Sequence, residues 1–171
     1  DDVTANVRIV VNSGASYTGA CSSSGGTYTI NGVVIVGDVV LTTYLNTNGG
    51  RQGTVVTKTP TANITSHNIY ANRIITTHED VIPLSIADMA IFDASDDSDI
   101  RFIVATGTTN SLTVFSNTEL HIASSTSFSA NGDIRVHGNA SSTSFDGSLH
   151  IDDNATFIGY ATSTYTFGGS F

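Results

Sequence analysis

The densest run of chemistry-bearing side chains is Asp93-Ala94-Ser95-Asp96-Asp97-Ser98-Asp99. Its four carboxylates, on Asp93, Asp96, Asp97 and Asp99, are hard oxygen donors of the kind Ca²⁺ takes. This run is therefore the candidate metal site, with Ca²⁺ as its ion and no other cofactor expected. The spacing is not that of an EF-hand, which needs Gly at its sixth loop position and Glu at its twelfth. A bare acidic loop, solvated on its outer side, explains the same residues without an ion.

The other reactive types form no catalytic pattern, and no catalytic residue is assigned. His67, His78, His121, His137 and His150 include no pair at i, i+2 or i, i+4, and Cys21 is remote from all of them, so zinc is not expected. Neither G-x-S-x-G nor S-x-x-K occurs. A polysaccharide lyase or hydrolase would need paired carboxylates on adjacent strands, for which Asp133 with Asp152 or Asp153 is the candidate. Thr-x-Thr motifs recur at irregular spacing, unlike the fixed spacing an ice-binding face requires.

Composition limits what can position such groups. The 171 residues include 16 Gly and no Trp, and 46 are Ser or Thr against 21 charged side chains. Together with abundant Val and Ile and the absence of a sustained i, i+3, i+4 apolar pattern, this predicts an all-β chain. The net charge of −9, without any Lys/Arg cluster, argues against nucleic-acid binding. No run of 18 apolar residues occurs, so membrane insertion by a helix is not expected. Asp1 in place of an initiator Met predicts a processed or excised product.

In chain order, Val3, Ala5, Val7, Ile9 and Val11 alternate with other residues as a strand with one apolar face. Thr27–Ile30 and Val33–Val36 flank Asn31-Gly32, which predicts a hairpin with a type I′ turn. Further strands are expected over Val39–Leu45, Gly53–Lys58, His67–Thr76, Met89–Phe92 and Ile100–Val104. Val81–Ala87, holding Pro83, reads as a loop or short turn rather than a helix.

From Leu112 onward the sequence repeats itself. Ser124-Ser125-Thr126-Ser127-Phe128 recurs 17 residues later from Ser141, and Leu120-His121-Ile122 returns as Ile134-Arg135-Val136 and as Leu149-His150-Ile151. Short, slightly variable repeats of this kind mark stacked coils or strand arrays. Two strands per coil of about 15 residues are predicted. His121, Arg135 and His150 then fall in one outward column, beside Glu119, Asp133 and Ser148, as a charge ladder or a ligand-facing stripe. The expected organisation is a β-sandwich-like or irregular β module over 1–110, continuing into short β-solenoid-like strand repeats over 111–171.

Residues 7 to about 110 resemble a β-rich module of phage tail fibres and large bacterial surface proteins. The likeness is carried by Val7-Arg8-Ile9-Val10, by Thr29-Ile30-Asn31-Gly32-Val33 with Gly37-Asp38-Val39-Val40-Leu41, by Arg73, by Met89-Ala90-Ile91-Phe92 and by Gly107-Thr108-Thr109-Asn110. The Ser/Thr-rich tail is similar to fibre-shaft repeats. The resemblance implies a non-enzymatic structural subunit of an extracellular filament or virion fibre, found outside the cell, at the cell surface or on a virion. Self-assembly into a homo-oligomer or polymer would use strand addition or stacking of β edges. The expected contacts are Val3, Ala5, Val7, Ile9 and Val11 at one end, with Tyr165 and Phe167 at the other. The alternative is a carbohydrate-binding adhesin or receptor-binding tail module that takes surface glycans, although the six tyrosines do not cluster in sequence.

Overall fold

A computed structural model describes residues 6–22, 26–47, 50–59, 64, 67–79, 81–136, 148–159 and 163–167. The all-β expectation holds: among the described residues fourteen strands lie in three sheets, with one four-residue helix. Strand β1 (Asn6–Val11) alternates, turning Arg8 and Val10 to one side and Val7, Ile9 and Val11 to the other. It pairs antiparallel with β2 (Ser16–Ala20) on one edge and with β3 (Val39–Asn46) on the other. β4 (Thr54–Thr59) runs antiparallel to β3, and β5 (Arg73–His78) then runs parallel to β4.

After β5 the chain makes successive passes through the same three sheets. The first pass holds β5, β6 (Leu84–Ser85), helix α1 (Ile86–Met89), β7 (Phe102–Ala105) and β8 (Asn110–Val114). The second holds β9 (Glu119–Ile122), β10 (Ser127–Ala130) and β11 (Gly132–Val136), and the third β12 (Ser148–Ile151), β13 (Thr156–Gly159) and β14 (Tyr165–Phe167). Corresponding strands stack in parallel: β5, β9 and β12 in one sheet, β6, β10 and β13 in the second, β8, β11 and β14 in the third.

Short apolar-x-apolar segments make this possible. Leu120 and Ile122, Phe128 and Ala130, and Ile134 and Val136 all point inward and are buried, while the middle residue of each faces out. They meet Val10, Val40, Tyr44 and Val56 of the antiparallel strands in one hydrophobic core. Each large side chain fully buried there contributes about 1.5–3 kcal/mol. Corners are set by residues in the left-handed region, Ser125 (φ 60) before β10 and Asn154 (φ 61) before β13. Where β11 begins against β8 the backbones approach so closely that a Cβ on Gly132 would lie 2.0 Å from the Asn110 carbonyl oxygen, so glycine is required.

Several local expectations fail. The spacings of 14 and 15 residues connect different sheets, so a coil has three strands rather than two; the second and third passes pair at an offset of 29 residues in two sheets, as in Phe128 opposite Phe157, and of 31 in the third, as in Ile134 opposite Tyr165. The second copy of the Ser-Ser-Thr-Ser-Phe repeat lies outside the described residues. The Asn31-Gly32 hairpin does not form: Gly32 takes φ 76, Asn31 does not join it, and residues 29–36 are not strand. That segment lies instead against the outer face of the antiparallel strands. Tyr17 Oη accepts from the Val34 N–H, Tyr28 Oη donates to the His67 carbonyl, and Gly19 leaves room for Thr29 and Ile30. Beneath lie Val7, Leu41, Thr43 and Val55, buried on the face away from the main core.

The loop expected over 81–87 contains β6 and the start of α1, whose capping box joins Ser85 to Asp88. Consequently Met89–Phe92 ends a helix and enters a turn rather than forming a strand, and the strand expected over 67–76 is confined to Arg73–His78. The boundary expected at residue 110 falls at the first residue of β8, and strands from both sides of it share the sheet β12-β9-β5-β4-β3-β1-β2 and one core.

Partly buried His67 places Nε2 3.0 Å from Thr43 Oγ1, and burial lowers its pKa from 6.5 to about 4. Between these values the unfolded chain binds a proton that the folded chain does not, so stability rises with pH across this window and is complete above about 6.5. Thermal unfolding from pH 7 to 4 should show a loss with a ceiling of about 3 kcal/mol from this residue. His67→Gln, which can keep a hydrogen bond to Thr43, should flatten the slope. An unchanged slope would remove His67 as its cause.

Candidate functional site

The acidic loop follows α1 and leads into β7. Its carboxylates face protein donors rather than one another. Asp93 is buried; its Oδ1 accepts from the Ser95 N–H and hydroxyl at 2.8 and 2.7 Å, and its Oδ2 from the Val104 N–H at 2.8 Å. Asp96 Oδ2 accepts from the Asp93 N–H, and Asp97 Oδ1 from the Asp99 N–H. Asp97 Oδ2 takes the Tyr44 hydroxyl at 2.7 Å and the Arg8 guanidinium at 3.3 Å. Asp99, also buried, accepts from the Thr47 N–H at 2.8 Å and from the Gln52 amide at 3.4 Å. Burial, reinforced by its hydrogen bond to Asp97 and that group's charge, pushes the Tyr44 phenol well above its usual range. The arrangement ties the loop to β1, β3 and the segment before β4. The four aspartates proposed as calcium ligands do not form a metal-ligand group among the described residues.

The ligand-type group that does form joins His121, His150 and Asp152. Parallel register sets His121 directly opposite His150, with Leu120 opposite Leu149 and Ile122 opposite Ile151. With the leucines turned inward, both imidazoles must stand on the outer face. The rings stack with centroids 4.8 Å apart and planes 11° from parallel. Asp152, just beyond β12, is fixed by its N–H donating to the Ile122 carbonyl. Its Oδ2 lies 3.0 Å from His121 Nε2 and its Oδ1 3.0 Å from His150 Nε2. Burial raises the Asp152 pKa, but the hydrogen bonds and charges of the two histidines outweigh it and hold the carboxyl below its usual range.

Behind His121, Nδ1 lies 3.2 Å from Glu119 Oε1, which also meets Arg73 Nε at 3.0 Å. Basic and acidic side chains thus alternate in a column across β5, β9 and β12. Side-chain exposure rises along it, from 12 % at His121 to 34 % at Asp152 and 54 % at His150. Ser124, His150, Ile151, Asp152 and Asp153 line a shallow, open cleft beside it.

The outward column expected from the sequence is present in part. Ser148 stands opposite Glu119, as His150 does His121, but Arg135 and Asp133 belong to β11 in a different sheet. Sequence spacing within one segment could not find the triad, because its histidines are 29 residues apart; the matching Leu-His-Ile triplets were the available signal. Asp133 accepts from the Thr164 N–H and is not brought together with Asp152 or Asp153 as a catalytic pair. His78 Nε2 accepts the Ser127 N–H at 2.7 Å, joining β5 to the start of β10.

Of the assembly residues, Val7, Ile9 and Val11 lie on an interior strand paired on both edges, which corrects their assignment to an open edge; Val3 and Ala5 lie outside the described residues. Tyr165 and Phe167 belong to β14, the end strand of its sheet among the described residues, and the Tyr165 hydroxyl donates to the Ala130 carbonyl. Among the described tyrosines only Tyr70 is exposed, beneath the Arg73 guanidinium.

No protein family, curated protein or solved structure matches the chain. The likeness to the tail-fibre module therefore rests on the sequence motifs alone.

The donor-saturated acidic loop has a measurable consequence. Asp93→Ala removes the acceptor of three hydrogen bonds, and hydrogen bonds to charged groups are worth about 1.5–3 kcal/mol each, so a loss of at least about 4 kcal/mol is expected, or about 10 °C or more in melting temperature. Exposed Asp96→Ala should cost under about 1 kcal/mol. Millimolar Ca²⁺ should leave the wild-type melting temperature unchanged; a rise of several degrees would restore the calcium reading.

Proposed function

We propose that this chain is a structural β unit that joins further copies of itself end to end, as a subunit of an extracellular filament or virion fibre. The observation that supports this is a gradient of burial between the second and third passes. Leu120 and Ile122 are fully buried, whereas their register partners Leu149 and Ile151 are 9 % and 44 % exposed. Phe128 is fully buried, whereas Phe157 opposite it is only partly so, and Ile158 next to Phe157 is exposed. Among the described residues β12 and β13 are also end strands of their sheets. Strand edges beside uncovered apolar residues favour addition of another strand layer. A second copy is the occupant of choice because the layer must offer short strands at matching positions on several sheets. Strand exchange through β1 is not part of this reading, since its ladders are internal.

Sedimentation velocity and electron microscopy on the intact protein test the reading. Wild type should self-associate with rising concentration. Ile151→Lys with Ile158→Lys, which puts charge beside the edges, should move the population to monomer while circular dichroism stays unchanged. A wild-type protein that stays monomeric up to about 1 mM, the weak end of specific association, would overturn it.

A further inference from the structure

We propose that His121, His150 and Asp152 bind a late first-row divalent transition ion, Zn²⁺ in the first instance, which clamps the third pass of the chain onto the second. This inference stands on its own observations and does not require assembly. Two imidazole nitrogens and a carboxylate oxygen are a donor set that suits zinc and its neighbours rather than calcium or magnesium. The three ligand atoms lie within 4.8 Å of one another. Ligands on one tetrahedral zinc ion stand about 3.4 Å apart, given metal–ligand bonds near 2.1 Å. Each histidine Nε2 lies 3.0 Å from its own oxygen of Asp152, already close to this, so the adjustment needed is a turn of the carboxylate and a tilt between the two stacked rings. His150 is more than half exposed, and the ring it stacks on is that of His121 itself.

The backbone fixes where the donors stand. In-register pairing sets the two histidines on adjacent strands, and the hydrogen bond from the Asp152 N–H to Ile122 sets the carboxylate beside them. Glu119 occupies Nδ1 of His121, leaving Nε2 toward the proposed ion, and Arg73 holds Glu119 in turn. A carboxylate behind a ligating imidazole fixes the ring and raises its basicity. The ion would replace the proton through which each Nε2 hydrogen-bonds to Asp152. The cleft beside Asp152 is open to solvent, so water can complete the coordination. His121 comes from β9 and the other two donors from β12 and the residue after it, so the ion would tie the two passes together.

Isothermal titration of the intact protein with Zn²⁺ tests this, with Co²⁺ absorption reporting the ligand field. One ion per chain is expected, with a higher melting temperature in its presence because only the folded chain holds the site. His150→Ala and Asp152→Asn should each weaken binding at least tenfold and abolish the thermal shift. Glu119→Gln, which spares all three ligands, should weaken it about 10–100-fold. Circular dichroism establishes that each variant is folded, and exposed His150 is the substitution that leaves the fold least disturbed. Absence of saturable uptake of Zn²⁺, Co²⁺ or Ni²⁺, or unchanged affinity in folded His150→Ala, would overturn the proposal and leave the column as a charge ladder.

Discussion

Parallel pairing in register is the constraint on which this structure depends. Successive passes of the chain lie one above another, and a residue's neighbour across the ladder occupies the equivalent position of the next pass. Apolar residues two apart then build the core, and the polar residue between them builds a surface column. Phe128 over Phe157 and His121 over His150 follow from this same rule, one pair on the inner face and the other on the outer. Stacking like residues also stacks like demands. Two imidazoles 4.8 Å apart need a common partner, and Asp152 supplies one carboxylate oxygen to each.

The antiparallel strands solve a different problem. A sheet begun by β1 to β4 has two faces, and parallel passes cover only one of them. The other carries Val7, Leu41, Thr43 and Val55, all buried. Residues 28–35 and 67–70 run over that side, held by contacts such as the Tyr28 hydroxyl on the His67 carbonyl. The acidic loop works from the opposite direction. It interrupts the first pass between α1 and β7, and Asp97 and Asp99 fasten it to β1, β3 and the residues before β4. Clustered carboxylates are tolerable here because each accepts from N–H or O–H donors.

What could be read in the sequence follows from range. The all-β class and most strand positions were legible because alternation is local. Leu120 and Ile122 announce their inward face without reference to any other segment. The Asn31-Gly32 signal is equally local, yet it lost to the long-range need to cover the outer face, and no window of residues contains that need. The aspartates between 93 and 99 were legible as a cluster but not in their role, since their donors Arg8, Tyr44, Thr47 and Gln52 lie more than 40 residues away. The histidine pair lay between these cases. Matching Leu-His-Ile triplets were visible, but Ile134-Arg135-Val136 is an equally good apolar-x-apolar copy, and only the topology assigns it to another sheet.

The third pass carries the least support and the most exposed chemistry, and these two properties share a cause. A strand stacked on both sides loses water from its inner face and its edges, as β9 does between β5 and β12. A strand stacked on one side keeps an open edge and leaves part of its apolar face wet, as Ile151 does beside buried Ile122. Its polar face gains what its apolar face lacks, because His150 and Asp152 remain open to solvent while His121, one strand inward, is nearly enclosed. An added strand layer would act on the wet inner face, whereas an ion would act on the outer one. The two would stabilise the same strand from opposite sides without competing for any atom.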